Sequence, residues 1–215
     1  MYYRLSEFFT RFAVVSRLAG RAVASACVAL AFLATPAAAS EISVAGVTAS
    51  STFYTYNVNN LINGAGLVGD LHSGDWTGKW ITNDTVTGWL TFDLGSQLFV
   101  GSTKIWNYGP GCCGNGRSTK DLGISYSADG LNYTSFDNVV LAQPTTDPFG
   151  GEAFNLGFTA RYVKFALNSN YGDPYTGLSE VKFYNVAAVP EPETYGMMLA
   201  GLGLIGFIAA RRKTI

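Results

Sequence analysis

Apolar and polar residues alternate with a period of two through the middle of the chain, and no segment there sustains a helical period. In GWLTFDLG (88–95), Leu90, Phe92 and Leu94 take one face while Trp89, Thr91 and Asp93 take the other. ARYVKFALN (160–168) sets Val163, Phe165 and Leu167 together, and LSEVKFYNV (178–186) does the same with Val181 and Phe183. STKIWNY (102–108) and LGISYS (122–127) are further predicted strands, and SADGLNY (127–133) predicts a hairpin through Asp129-Gly130. Glycine, asparagine and serine punctuate the rest. Many short strands at near-regular spacing predict an all-β antiparallel sandwich.

Both ends of the chain break this alternation. Arg4, Arg11, Arg17 and Arg21 precede an apolar stretch at 22–34 and then TPAAAS, the pattern of a signal peptide over 1–39 cleaved after Ala39. At the other end Pro190-Glu191-Pro192 leads into an apolar run at 195–210 that stops on Arg211, Arg212 and Lys213. As a helix the run spans about 24 Å, short of the roughly 20 residues a bilayer core takes. Snorkelling basic stems extend its reach, and its glycines suit a membrane helix better than one in water. A buried C-terminal helix is the alternative, but the run has no polar face to turn outward. The middle is therefore read as exported, held at a membrane by a short transmembrane helix with its basic end inside.

Composition narrows the middle further. Residues 40–189 are enough for one domain, and carry 7 Lys and Arg against 12 Asp and Glu, a net charge of −5. That balance excludes a nucleic-acid partner, which calls for a basic patch. All four tryptophans lie here, so a core forms without metal or disulfide staples. Cys112 and Cys113 are adjacent in GPGCCGNGR; an oxidising compartment favours a vicinal disulfide or an intermolecular bridge over two surface thiols.

Catalysis finds little support. The single histidine, His72, cannot supply a His-Glu-x-x-His site, and no Gly-x-Ser-x-Gly elbow accompanies it. His72 reads instead as a loop residue of GDLHSGDW. Nothing marks a carboxylate pair of the kind a glycosidase needs. A non-enzymatic protein is the expectation.

Two resemblances add to this reading. The proline-acid-proline motif, glycine-rich apolar run and terminal basic cluster resemble the PEP-CTERM sorting signal of Gram-negative bacteria. That resemblance implies an exosortase-type membrane protease as partner, transient anchoring, and passage to the cell surface or extracellular matrix. NNLINGAG, GKWIT, GWLTFDLG, KIWNY, GISYSADGLNY and ARYVKFALNSNYGDPYTGLSEVKFYN, in that order over 57–185, resemble the discoidin or coagulation-factor C-terminal domain. It implies a galactose-binding-like jelly roll over 40–186, between the signal peptide and a sorting segment at 187–215.

The second resemblance also implies a function. Relatives bind sugars, glycans or lipid headgroups through loops at one end of the sandwich. Such a site divides its work between aromatic stacking and a few polar contacts. The loop candidates here are Trp76, Asn107, Tyr108, Arg117, Tyr171, Asp173 and Tyr175; Arg117 also reads as an ion-pair partner of Asp121. A glycan or exopolysaccharide is the implied ligand, and a structural matrix protein without a pocket is the alternative. Relatives further imply a structural calcium, carried here onto Asn60, Asn63, Thr77, Ser179 and Glu180. This chain has Asn63-Gly64 where relatives have Asp-Gly, and a glycine-rich insert between Gly64 and Trp80. Asp70 or Asp75 of that insert could replace the missing charge.

Overall fold

The computed structural model describes residues 40–111 and 114–185, together with Leu202. The expected signal peptide, the apolar C-terminal run, and Cys112 and Cys113 with their expected disulfide lie outside them. Among the described residues no helix is long and apolar enough to cross a membrane.

The described residues form eleven strands: β1 (Glu41–Ile42), β2 (Gly46–Ala49), β3 (Leu67–Val68), β4 (Leu71–His72), β5 (Trp80–Ile81), β6 (Gly88–Asn107), β7 (Asp121–Ser127), β8 (Thr134–Val140), β9 (Phe149–Gly150), β10 (Glu152–Leu167) and β11 (Gly177–Tyr184). The expected all-β antiparallel sandwich is what the chain forms. Two expected strands, 88–95 and 102–108, are one: β6 runs unbroken for 20 residues. It turns at Gly95, whose φ of 79° is open to glycine without strain, while the Asp93 carboxylate accepts the Gly95 N–H at 2.8 Å.

That long strand links the two layers. Its first half pairs with β2 on one side and the second half of β10 on the other, with Phe92 opposite both Val47 and Val163. β7 and β8 complete this first layer. Its second half pairs with β11 and the first half of β10, and β1 and β5 add to β11 to make the second layer. The predicted inward residues Leu90, Phe92, Leu94, Val163, Phe165, Leu167, Val181 and Phe183 are all buried. Phe92 meets Phe165 within its own layer and Phe183 across the sandwich, edge to face at 5.2 and 5.3 Å.

β3 and β4 of the glycine-rich insert join β9 in a separate small sheet. It covers Trp106, whose indole N–H donates to the Asp70 carbonyl at 3.0 Å. Here a sequence reading is corrected. His72 is fully buried on β4, and its ring lies 5.5 Å from that of Phe149. Its Nδ1 meets the Ser73 carbonyl at 2.8 Å, and its Nε2 has no hydrogen-bond partner. Burial holds its pKa below the usual value, so the ring is neutral. A polar local context hid the β9 strand that covers it, which comes from 77 residues further along.

Candidate functional site

The ends of β2, β5, β6 and β10 and the starts of β7 and β11 bring the loops between them to one end of the sandwich. The 73–79 loop and the 108–111 loop touch there through backbone. A Cβ on Gly74 would fall 2.3 Å from the Pro110 carbonyl oxygen, and one on Gly111 would fall 2.3 Å from that of Gly74. Between them sits Lys79, fully buried, donating from Nζ to the carbonyls of Gly74 and Gly109 at 2.9 Å and Pro110 at 3.4 Å. The same ammonium lies 4.4 Å from the centre of the Tyr108 ring.

On this clamp stands an aromatic cluster. Trp76 opens a 3₁₀ turn, Trp76–Gly78, whose start is capped by Asp75: the carboxylate accepts the Thr77 N–H and hydroxyl, both at 2.9 Å. Those bonds hold the Asp75 pKa low. Trp76 remains 39 % exposed, and its ring lies 5.5 Å from that of Tyr56. The Tyr56 hydroxyl is 3.4 Å from the hydroxyl of buried Tyr108. Phe53 joins Tyr56 to Tyr175, edge to face with the latter at 4.9 Å. Beside them Tyr54, held at φ 42°, stands 88 % exposed at the loop tip.

The charged groups of this end are arranged around Tyr175. The Arg117 guanidinium lies 5.0 Å from the Tyr175 ring centre and donates from Nε to Asp173 at 3.3 Å. Asp173 also accepts the Tyr175 N–H at 3.0 Å. Asp84, beside the Tyr175 hydroxyl, pushes that phenol's pKa upward. Burial, then the Tyr56 hydroxyl, raises that of Tyr108, with Arg117 acting the other way. Both phenols are neutral donors at physiological pH.

The sequence candidates divide accordingly. Trp76, Arg117, Asp173 and Tyr175 come together, with Tyr108 as the floor beneath them. Asn107 does not join them: it is buried at the end of β6 with its whole amide engaged. Its Nδ2 donates to the carbonyls of Thr119 and Ala142, and its Oδ1 accepts the N–H of Tyr108 and Thr119. It holds the loops rather than facing a ligand. Tyr171 turns its hydroxyl to the Leu141 carbonyl at 2.7 Å, with Lys120 over its ring. Where Asp121 was the expected partner, Arg117 meets the Asp173 carboxylate, and Asp121 accepts the Ser169 hydroxyl. Phe53, Tyr54, Tyr56, Lys79 and Asp84 were missed. Three aromatics within four residues in STFYTYN was the signal available for the first three.

At the other edge of these loops lie the residues expected to hold calcium. Glu180 is buried, and both its oxygens face the Gly64 N–H, at 3.3 and 3.1 Å. Burial pushes its pKa up to about 7. Asn60 donates its amide to the Thr77 and Lys79 carbonyls at 2.7 and 2.9 Å, and Asn63 accepts the Ala65 N–H at 2.8 Å. Ser179 lies at the β-bulge between Leu178 and Glu180. Neither insert acid is free to serve: Asp70 pairs with Lys104 at 2.5 Å, and Asp75 caps the Trp76 turn. Among the described residues the Glu180 carboxylate makes no ion pair, and no group of three or more acidic, histidine or cysteine side chains gathers around it.

Two layers joined by long bent strands, with aromatic loops gathered at one end, define a discoidin-type jelly roll. The chain belongs to the F5/8 type C domain family, whose model matches residues 46–181. The PEP-CTERM protein-sorting motif matches residues 188–213. No curated protein matches the chain. Among solved structures it is similar to the CBM32 of AlyQ in complex with 4,5-unsaturated mannuronic acid, at 22 % identity and a TM-score of 0.52, covering 68 % of this chain and 99 % of that one. A Streptococcus pneumoniae fucose binding module matches at 18 % identity and 0.52, over 68 % and 96 %. The family 32 CBM from C. perfringens NanJ, in complex with galactose, matches at 15 % and 0.54, over 68 % and 99 %. At these identities the likeness is one of fold.

Proposed function

We propose that this protein is an exported, non-catalytic glycan-binding module, and that its ligand sits on the Tyr56–Trp76–Tyr175 cluster. A pyranose ring stacks its apolar face on exposed Trp76, and Arg117, Asp84 and Asp173 take its hydroxyls. The observation that carries this reading is the exposed Trp76 ring packed on Tyr56 in a loop fixed from below by Lys79. Rigid support of this kind lowers the ordering cost of binding.

The sorting motif supports the rest of the reading. The chain passes to the periplasm on its signal peptide, is anchored transiently by the 195–210 run, and is cut near Pro190 by an exosortase-type protease. It is then delivered to the surface or extracellular matrix of a Gram-negative cell. The geometry suits that use. β11 begins at Gly177, whose N–H donates to the Arg117 carbonyl, and ends opposite Glu41. Its eight residues separate the binding end from Asn185, where the described part of the domain stops, by roughly 25 Å. Calcium held by Glu180, Ser179, Thr77, Asn60 and Asn63 would supply a counter-charge to the buried carboxylate and fix the loop after β2.

The test is a glycan array or polysaccharide pull-down with the exported protein, wild type against Trp76→Ala. Saturable binding that this substitution weakens supports the reading. Failure to bind any glycan favours a purely structural surface protein, and turnover of a bound glycan would make it an enzyme.

A further inference from the structure

The outer face of the first layer carries a separate set of groups that the loop cluster does not use. Because Leu90, Phe92, Leu122, Ile124, Val163 and Phe165 point into the core, their neighbours Trp89, Thr91, Gly123, Ser125, Lys164 and Ala166 point out. Register places Trp89 opposite Ala166, Thr91 opposite Lys164, and Gly123 opposite Ala166 on the far side. The β7–β8 hairpin loop folds Tyr133 back over this face. The Lys164 ammonium lies 5.2 Å from the centre of the Trp89 ring and 5.3 Å from that of Tyr133.

Beside Trp89 stand the small residues Ala166 and Gly123, and two amides come in over Gly123. A Cβ on Gly123 would come within 3.1 Å of Asn138 Oδ1 and 3.4 Å of Asn168 Nδ2, so the glycine lets both amides lie close to the sheet beside Trp89. Both asparagines are exposed. The charges here are uneven. Arg161 and Asp93 neutralise each other through two bonds at 2.9 and 3.0 Å. Asp129 is turned into its own hairpin, accepting from Ser127, Leu131 and Asn132. Lys164 has no carboxylate within 4.0 Å among the described residues, although residues 40–189 carry −5 overall.

We propose that this face is a second glycan-binding surface, and that its ligand is an extended anionic polysaccharide of the polyuronate class. The 38 % exposed Trp89 offers a ring face to a pyranose, Asn138 and Asn168 offer amides to its hydroxyls, and Lys164 meets the carboxylate. An acidic domain repels such a chain over most of its surface and admits it where a cation stands without a carboxylate partner. An open sheet face accommodates the middle of a long strand, whereas a loop pocket suits a ring or chain end. The surface is separate from the Trp76 cluster, and each can fail without the other.

The test uses the full-length chain in non-ionic detergent, measuring depletion onto beads coated with polygalacturonate or with neutral dextran. Lys164→Gln should raise the apparent Kd for polygalacturonate about fivefold, the upper range for one exposed charge pair. Trp89→Ala should weaken it as well, Lys164→Arg should restore it, and dextran retention should not change. Both losses should persist in a Trp76→Ala background. Wild-type affinity in Lys164→Gln and Trp89→Ala proteins with unchanged melting midpoints overturns the proposal, as does loss only when Trp76 is replaced.

Discussion

Lys79 and Tyr108 form a buried cation–π pair, the ammonium 4.4 Å from the ring centre, and this pair underlies the whole binding end. The lysine ties the 73–79 loop to the 108–111 loop through the carbonyls of Gly74, Gly109 and Pro110. Trp76 and Tyr56 inherit their positions from it.

Lys79→Met should therefore destabilise the fold by about 2–4 kcal/mol, because buried carbonyls lose their donor. Urea denaturation measures this. Glycan binding should fall further than the lost folded fraction accounts for, since the loops part even in the folded protein. A variant with wild-type midpoint and binding would remove the clamp from this account.

Arg117→Lys should not preserve binding as a conservative change would. The planar guanidinium lies over Tyr175 while reaching Asp173, and an ammonium cannot keep both contacts. We expect a loss of about tenfold in affinity, roughly 1.4 kcal/mol, with a melting midpoint close to wild type. Calorimetric titration against a glycan found in the array separates the two effects.

Glu180 sets a pH dependence whose sign can be stated. Burial raises its folded pKa to about 7, so between the ordinary carboxylate range and pH 7 the folded state holds more protons than the unfolded one. In chelator, this group's contribution is fully present below about pH 4.5 and is lost as pH rises through 7, by about 3 kcal/mol. Buried neutral His72 works in the opposite sense below its own unfolded value. The difference between wild type and Glu180→Gln isolates the carboxylate, and it should vanish at acid pH.

Calcium should reverse that trend, because a cation favours the ionised carboxylate. At 100 times its dissociation constant it should stabilise the wild type by about 2.7 kcal/mol at neutral pH, and Glu180→Gln by much less. Superimposed melting curves with millimolar calcium and with chelator would take the ion out of the proposal.

Removing Pro190–Ile215 should release a folded protein to the periplasm or medium. β11 closes against β1, with Ser40 and Asn185 exchanging hydrogen bonds at the boundary. Fractionation and a proteolysis assay report the result; an aggregated product would show that the tail belongs to the fold.

The alternation in 88–95, 160–168 and 178–186 determined the class of fold and half of the core, because a period of two assigns faces from local sequence alone. Half of the binding end was legible for a similar reason: Trp76, Arg117, Asp173 and Tyr175 stand among turn residues that place them in loops. The sequence could not place Asn107, His72 or Lys79. Each is polar in a context that reads as exposed, and each is buried by chain far away in sequence: Thr119 and Ala142 over Asn107, β9 over His72, the Gly109 and Pro110 carbonyls over Lys79. Nor could it foresee that β6 is one strand, since Gly95 and Ser96 look like a turn until β10 pairs along both sides of them. Local pattern determines which face a residue takes; only closure of the two layers decides which polar groups find partners there, and that is a matter of non-local hydrogen bonding.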